Sequence, residues 1–280
     1  MKQKKYITLV PVGGLANRMR AIESGISLSH KTKSELIIIW FKDWGLNCTF
    51  HELFEKICDP AVKIREATWK DKLLNDRPRK KNLFIPQIFQ KMNYDTIFYE
   101  TEVADKTIHN TDFYELCKEK KDIYLASFSL FYSHEQNGLP HFRPVSSLKK
   151  EIEEVTKTFN EHIIGVHIRR TDNIVSINGS PTEAFVNRMK EEIQKNCDTT
   201  FYLATDSEEE KENMKNIFGE RIITSSFKAD RNSTRGIKNA VVEMYILSST
   251  TRILGSAGSS YSIIASKIGN IPYEAIKNSQ

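Results

Sequence analysis

The C-terminal half of the chain alternates short apolar runs with segments that carry apolar residues at helical spacing. The runs predict strands at 162–168, 201–204, 221–224 and 252–254. The spaced segments predict helices at 181–196, 207–219, 233–249 and 259–268. Strands that alternate with helices in this way form a parallel sheet with right-handed crossover connections. The alternation therefore predicts an α/β fold.

Capping residues mark the ends of several predicted helices. Ser180 and Ser207 each stand three residues before a glutamate, which is the capping-box pattern of a helix start. Gly219 and Gly269 each follow a predicted helix, where glycine commonly ends the helix in a left-handed conformation. We expect both serine side chains to cap helices and both glycines to end them.

The N-terminal half begins with the same pattern. A strand predicted at 6–12 leads through Gly13-Gly14 into a helix, and a second strand follows at 36–40. Residues 59–125 are less regular and rich in Lys and Arg, which fits either a second domain or a large insertion on a Rossmann-like core.

Turn-forming residues indicate where the chain divides into domains. Asn137-Gly138-Leu139-Pro140 and Pro144 have the composition of a linker. We place the boundary near 140–147 and expect two domains, residues 1–143 and residues 144–280.

Composition excludes several classes of protein. The 41 Lys and Arg exceed the 36 Asp and Glu by five, which suits an anionic ligand but is small for a dedicated nucleic-acid-binding protein. The longest apolar run, 36–41, is far shorter than the roughly 18 to 20 residues that a membrane span needs. The four cysteines are scattered without a C-x-x-C pair, so we expect thiols in a reducing, cytoplasmic compartment.

Three polar motifs directly follow predicted C-terminal strands. They are His167-Ile168-Arg169-Arg170-Thr171-Asp172, Ala204-Thr205-Asp206-Ser207 and Gly255-Ser256-Ala257-Gly258-Ser259-Ser260. In open α/β sheets, ligands bind beyond the carboxyl ends of the strands. Polar motifs at three such ends indicate a binding site at this edge of the sheet.

Each motif has a functional and a structural interpretation. A guanidinium binds phosphate through paired hydrogen bonds, so we expect one of Arg169 and Arg170 to face an anionic ligand while the other braces the loop, with Asp172 as a partner. A purely structural Arg–Asp network is the alternative. Asp206 is either a ligand contact or part of the helix start that Ser207 caps. The glycine-rich third motif opens a helix whose N-terminus favours phosphate, although such turns are common.

The glycine turn at Gly13-Gly14 repeats this theme, because residues 15–20 add an amide and two arginines to the helix that it opens. The segment is neither the dinucleotide fingerprint G-x-G-x-x-G nor a Walker loop. The sequence also has no Asp-x-Asp pair, no H-E-x-x-H and no G-x-S-x-G. Metal-dependent hydrolysis and serine-esterase chemistry are therefore unsupported.

The H-x-R-R-T-D motif after an apolar strand resembles the signature of the α-1,6-fucosyltransferase and nodulation fucosyltransferase group. This group belongs to the GDP-fucose-dependent superfamily that also contains the protein O-fucosyltransferases. The resemblance covers most of the chain in order, through the segments 13–20, 40–54, 204–206, 230–233, Glu243 and 259–260. The chain lacks the long stem and accessory domain of the animal enzymes, which favours a minimal bacterial form.

The resemblance implies a GT-B-like arrangement, in which two Rossmann-like domains face each other across a cleft. It implies metal-independent transfer of fucose from GDP-fucose to a glycan acceptor, with inversion at the sugar carbon, in glycan biosynthesis. The N-terminal domain would bind the acceptor and the C-terminal domain the GDP-sugar. Arg169 would hold the departing β-phosphate. The other donor-binding residues implied are His167, Arg170, Asp206, Glu243 (on the guanine edge), Ser259 and Ser260 (on the phosphate), Asn17 and Arg18.

The catalytic base is the point at which the sequence departs from the group. In the α-1,6 enzymes a lysine follows R-R-T-D and a glutamate lies shortly after, whereas here Asn173 takes the lysine position and 174–179 contains no carboxylate. Either Asp172 or a residue outside the motif takes the acceptor proton, or the reaction is dissociative enough to need little base.

Several alternative functions stay open. An α-1,2-fucosyltransferase usually has glycine where this chain has Thr171, and a transferase for another nucleotide sugar is also compatible. A non-catalytic GDP-sugar-binding or RNA-binding protein is the alternative of another class. The basic run 63–81 motivates RNA binding, but it lacks regular aromatic interleaving and fits better a solvated surface that faces an acceptor or makes peripheral contact with the inner membrane.

Overall fold

Each half of the chain builds its own parallel sheet. The computed structural model describes residues 4–75, 85–133, 139–171, 174–227, 230 and 232–278. The chain divides into two compact units, Met1–Arg143 and Pro144–Gln280.

The N-terminal unit is an α/β layer structure around five described strands. Its strands are β1 (Tyr6–Pro11), β2 (Glu35–Trp40), β3 (Val62–Glu66), β4 (Thr96–Phe98) and β5 (Asp122–Ser127). Its helices are α1 (Leu15–Thr32), α2 (Trp69–Leu74), α3 (Ile85–Asn93), α4 (Glu100–Ile108) and α5 (Phe113–Cys117), with a 3-10 turn at Phe50–Glu52. The strands are all parallel, in the order β3-β2-β1-β5-β4. The chain thus moves outward from β1 on one side and returns on the other, which makes β1/β5 the switch point of this sheet.

Helix α1 packs on this sheet because its apolar residues recur at helical spacing. Met19, Ile22 and Ile26 are fully or almost fully buried. Lys33 then adopts a left-handed conformation with φ of 57°, and its N–H group bonds to the last turn, which ends the helix.

The C-terminal unit repeats the architecture. Its strands are β6 (Ile163–Ile168), β7 (Thr200–Thr205), β8 (Ile222–Thr224), β9 (Ile253–Ser256) and β10 (Tyr273–Ile276). Its helices are α6 (Ser146–Thr156), α7 (Ile174–Gly179), α8 (Thr182–Lys195), α9 (Glu208–Phe218), α10 (Thr234–Ser248) and α11 (Ser260–Gly269), with a 3-10 turn at Gly219–Arg221. The described strands run parallel in the order β10-β9-β6-β7-β8.

Strand register brings the three polar motifs to one edge of the second sheet. His167 on β6 pairs with Ala204 on β7 and with Gly255 on β9. The carboxyl ends of β6, β7 and β9 therefore lie side by side. The switch point of this sheet is β6/β9, because the chain runs from β6 through β7 and β8 before it returns to β9.

The predicted α/β class with two Rossmann-like units is confirmed by this architecture. The sequence fitted either a second domain or an insertion at residues 59–125. In the structure this region contributes β3, β4 and the start of β5 to the first sheet. In the C-terminal unit, α6, α7 and β10 were not predicted. Asn137, Gly138 and the basic cluster at 77–81 lie outside the described residues.

Two predicted helix ends were wrong. Ser180 does not cap α8: its hydroxyl donates to the Ile276 carbonyl and accepts from the Ala257 N–H group, so it links β10 to the loop after β9. Gly269 is the last residue of α11 rather than the residue that follows it, because Asn270 takes the left-handed conformation with φ of 49°. The predictions for Ser207 and Gly219 are confirmed: Ser207 accepts the Glu210 N–H group and Gly219 has φ of 58°.

The described residues include no helix with the length and apolar character needed to cross a bilayer. All four cysteines lie in the described part of the chain and are thiols rather than disulfides.

Gly269 provides a test of the packing between α10 and α11. A Cβ atom at this position would lie 2.0 Å from the Ser248 carbonyl oxygen. We expect Gly269→Ala to lower the free energy of unfolding by about 1 to 3 kcal/mol, because backbone atoms must move apart. Urea unfolding followed by circular dichroism measures this change.

Gly179→Ala is the matched control, since its new Cβ atom would meet nothing closer than Ala257 at 3.9 Å. Equal unfolding midpoints for the two variants would contradict the packing of α10 against α11.

Candidate functional site

The loop after β6 is bonded to both neighbouring strands at the switch point. The Arg169 N–H group donates to Ser256 Oγ at the end of β9, at 3.0 Å. The Arg170 N–H group donates to Asp206 Oδ1 beyond β7, at 2.7 Å. The backbone that carries both arginines is therefore fixed from two sides.

The Asp206 carboxylate also fixes the Arg169 side chain. Its Oδ2 atom lies 2.9 Å from Arg169 Nη1 and accepts a hydrogen bond from Thr171 Oγ1 at 2.7 Å. The Arg169 and Asp206 side chains keep only 14% and 10% of their surface exposed. A mostly desolvated ion pair of this kind holds the guanidinium at a defined place instead of leaving it to sample rotamers.

Arg170 braces the loop, the second of the two roles expected for the arginine pair. Its Nε atom donates to Glu210 Oε2, Nη1 to the Arg169 carbonyl and Nη2 to Thr182 Oγ1. The Thr182 hydroxyl in turn bonds to the Glu210 carboxylate at 2.8 Å. All three guanidinium nitrogens are thus engaged by the protein, and they join the starts of α8 and α9 to the loop.

The glycine-rich turn after β9 opens α11 beside this loop. Gly258 has φ of 72°, which glycine adopts without strain. Ser259 is the N-cap residue of α11 and is buried, and Ser260 is the first helical residue. The N–H groups of a first helical turn lack intrahelical acceptors and carry partial positive charge, so this end of α11 suits an anion.

A buried histidine lies next to this edge and contacts a half-buried tyrosine. The His167 ring stacks on Tyr261 at 4.8 Å between centroids and 28° between planes. Burial, and secondarily the charge of Arg169, lower the pKa of His167 to about 3. His167 is therefore neutral at physiological pH, and its buried Nδ1 atom has no hydrogen-bond partner in the described part of the protein.

Glu243 lies on α10 in a desolvated setting. Burial raises its pKa to about 7, although the Ser225 hydroxyl donates to Oε1 at 2.7 Å and Lys211 lies close enough to oppose the shift. Burial and the charge of Glu243 raise the pKa of Tyr202 well above its usual value. Glu243 can therefore change its protonation state near neutral pH.

Arg18 and Asn17, the N-terminal residues predicted to contact the ligand, differ in burial. Arg18 is fully buried: Nε donates to the Gly13 carbonyl, Nη1 to the Phe41 carbonyl and Nη2 to Asp43 Oδ1 at 2.7 Å. Asn17 is half-buried against Gly13, where a Cβ atom would lie 3.0 Å from Asn17 Nδ2. Arg18 thus shapes the turn after β1 from inside the protein.

Most of the predicted donor-site residues in the C-terminal unit lie along its carboxyl edge. Arg169, Arg170 and Asp206 contact one another directly. Asp172, the predicted catalytic carboxylate, lies outside the described residues. No group of three or more His, Cys, Asp or Glu that could hold a metal occurs among the described residues.

Sequence analysis assigned no role at this edge to three residues that contribute to it. Ser256 ends β9, Tyr261 stacks on His167, and Glu210 holds Arg170. A signal existed for Glu210, because it stands at the third position of a capping box. Its carboxylate, however, binds across the sheet edge instead of back to its own helix.

Comparison with known proteins adds information on the fold. No model of a known protein family matches the chain. No curated protein matches it either.

Solved structures do match over nearly the whole chain. The fucosyltransferase NodZ from Bradyrhizobium has a TM-score of 0.64 at 18% identity, over 94% of this chain and 93% of that chain. FUT1 of Arabidopsis thaliana in complex with GDP has a TM-score of 0.62 at 13% identity, over 96% and 70%. POFUT1 in complex with GDP-fucose has a TM-score of 0.56 at 10% identity, over 97% and 98%.

The chain therefore shares the GT-B-like fold of these fucosyltransferases. The predicted resemblance to the GDP-fucose-dependent group is confirmed at the level of the fold.

The buried histidine gives a prediction on pH dependence. The unfolded chain takes up a proton at His167 near pH 6.5, whereas the folded protein does not until about pH 3. We expect His167 to make the folded protein progressively less stable as pH falls from 6.5 toward 3. Urea unfolding at several pH values measures this, with His167→Gln as the comparison.

Histidine NMR provides the control. Hydrogen bonding to Glu23 raises the pKa of His141, so the two rings should titrate on opposite sides of the ordinary histidine pKa. A His167 resonance that titrates near pH 6.5 would contradict its burial.

Proposed function

We propose that this protein is an inverting glycosyltransferase that moves fucose from GDP-fucose to a glycan acceptor without a metal ion. The observation that carries the proposal is the placement of Arg169 at the β6/β9 switch point, beside the N-terminus of α11. The shared fold supports the donor class, because NodZ soaked with GDP-fucose and POFUT1 with GDP-fucose have the same architecture.

Arg169 stabilises the leaving group in this proposal. Breaking the bond between the fucose C1 atom and the β-phosphate oxygen places negative charge on that phosphate. A guanidinium and helix N–H groups aimed at the phosphate bind the transition state more tightly than the ground state. Ser259 and Ser260 add donors at the start of α11, while Asp206 positions Arg169 and Arg170 braces the loop.

Glu243 recognises the guanine base in the proposal. Guanine presents two adjacent N–H donors, which an ionised carboxylate accepts together. His167, held neutral by burial, lies with Asp206 on the nucleoside side.

The acceptor binds the N-terminal unit, where Arg18 shapes the glycine turn and Asn17 lines it. The acceptor oxygen forms the new bond to C1 with inversion and loses its proton. Asp172, which lies outside the described residues, is the residue that the sequence offers to receive that proton. GDP-fucose and the glycan acceptor are the only ligands proposed, and no nucleic acid is included.

We also propose a cytoplasmic location with peripheral contact at the inner membrane. The exposed Lys70 and Lys72 support such contact, because both place positive charge on α2 of the N-terminal unit.

The Arg169 side chain gives the first functional prediction. We expect Arg169→Ala to lower kcat for fucosyl transfer by about 10² to 10³, because one preorganised donor to the developing charge is lost. Release of GDP from GDP-fucose in the presence of acceptor measures the rate.

Arg221→Ala is the matched control. Arg221 precedes β8 at the opposite edge of the sheet and donates to the Cys197 and Thr199 carbonyls. Full activity of a folded Arg169→Ala protein, or an equal loss in both variants, would overturn the role of Arg169.

Glu243 gives the second functional prediction. Because its pKa is about 7 and the ionised form binds guanine, GDP affinity should rise as pH increases from 6 to 8. Glu243→Gln should weaken GDP binding and remove this rise, since the amide cannot accept two N–H donors with equivalent oxygens. Calorimetry with GDP, UDP and ADP over this pH range makes the measurement.

A wild-type preference for UDP would contradict the guanine assignment and favour a transferase for another nucleotide sugar. GDP binding without any transfer would favour a non-catalytic GDP-sugar-binding protein.

A further inference from the structure

A tight turn after β2 displays a tryptophan to solvent. Asp43 and Leu46 exchange backbone hydrogen bonds at 3.2 and 3.1 Å, so Trp44 and Gly45 form the tip of the turn. Trp44 is 78% exposed, whereas Leu46 is fully buried.

The turn is held rigidly from below. Asp43 Oδ1 accepts hydrogen bonds from the fully buried Arg18 Nη2, at 2.7 Å, and from the Gly45 N–H group, at 2.9 Å. The Arg18 guanidinium also lies 4.9 Å from the centre of the buried Trp40 ring. The exposed indole is therefore carried on a well-anchored backbone, which lowers the entropy cost of binding through it.

The position of the turn points to a ligand. A Cβ atom on residue 45 would lie 3.2 Å from the Gly13 carbonyl oxygen, so the turn packs against the glycine turn after β1. β1 is the central strand, and its carboxyl end is one side of the switch point of this sheet. Trp44 thus stands at the edge where an open α/β sheet binds ligands.

A second exposed tryptophan provides an internal comparison. Trp69 is 71% exposed and follows β3, at the outer end of the same sheet. It begins the short helix α2, two strands away from β1. The chain therefore offers two indoles of similar exposure, of which only Trp44 is locked to the switch point.

We infer that Trp44 is a stacking platform for a pyranose ring of the acceptor saccharide. An indole offers a flat apolar face with an N–H group at its edge, and it contributes large binding energies when a partner covers it. Pyranoses whose substituents are all equatorial present flat C–H faces that complement such a ring. The description of this saccharide as an acceptor rests on the proposed function.

Fluorescence tests the contact without any transferase assay. In a Trp69→Phe protein the remaining tryptophans are the buried Trp40 and the exposed Trp44. The β-1,4-linked tetrasaccharides of glucose and of N-acetylglucosamine serve as probes. We expect at least one of them to protect the fluorescence of this protein from quenching by iodide. The Trp44→Phe protein, in which Trp69 is the exposed indole, should show no protection. Absence of protection in the first protein, or equal protection in the second, would overturn the inference.

Kinetics then tests the role in the reaction. We expect Trp44→Ala to raise KM for the acceptor by about 10-fold to 100-fold with little change in kcat, because binding energy common to ground and transition states is lost. Trp44→Phe should restore part of the affinity, and Trp69→Ala should leave KM within about twofold of wild type, as for a surface change remote from the site. An unchanged acceptor KM in Trp44→Ala would contradict the inference.

GDP affinity separates the two proposals. Saccharide protection without GDP binding would leave Trp44 as a sugar platform and remove the proposed donor. Normal GDP binding and fucosyl transfer without saccharide protection would remove the platform alone.

Discussion

The Asp206 carboxylate is the interaction on which the C-terminal site depends. It accepts the Arg170 N–H group, the Thr171 hydroxyl and the Arg169 guanidinium, and so it holds one loop by its backbone and by two side chains. An ion pair of this kind partly offsets the charge of Arg169. The ion pair fixes the position of the guanidinium. A guanidinium that is already oriented has a small reorganisation free energy when negative charge develops beside it. The ion pair therefore weakens the electric field of Arg169 but holds its guanidinium in a fixed orientation.

The N-terminal unit contains a similar Arg–Asp contact, but there the arginine holds the aspartate instead of the aspartate holding the arginine. There a fully buried arginine, Arg18, holds the Asp43 carboxylate, and the group presented outward is an indole. Both units therefore use one Arg–Asp contact to fix the segment beyond a strand near a switch point. The C-terminal pair fixes a cation suited to a diphosphate, and the N-terminal pair fixes an aromatic face suited to a sugar ring.

Sequence patterns predicted the parts of this structure whose causes are local. Strand–helix alternation and the Ser207 cap depend on residues close in sequence, and they were confirmed in the C-terminal unit. Ser180 failed as a cap because its hydroxyl found partners on β10 and after β9, which no local pattern contains. The burial of Arg18 could not be predicted from the sequence either. Its hydrogen-bond acceptors are Gly13, Phe41 and Asp43, and the last two are distant from it in the chain. The polar residues at this edge could be named from sequence, but the contacts that Arg169, Arg170 and Asp206 make with one another required the fold.

A binding cycle tests the central claim, that Arg169 is the group that receives the β-phosphate, most directly. The affinities of GDP and GMP are measured by calorimetry for the wild-type protein and for Arg169→Ala, at one pH and salt concentration. If Arg169 contacts the β-phosphate, wild type prefers GDP over GMP and the variant loses most of that preference, because the phosphate and the guanidinium are coupled. If the ratio of the two affinities is the same in both proteins, Arg169 does not bind that phosphate and the account of the leaving group is contradicted.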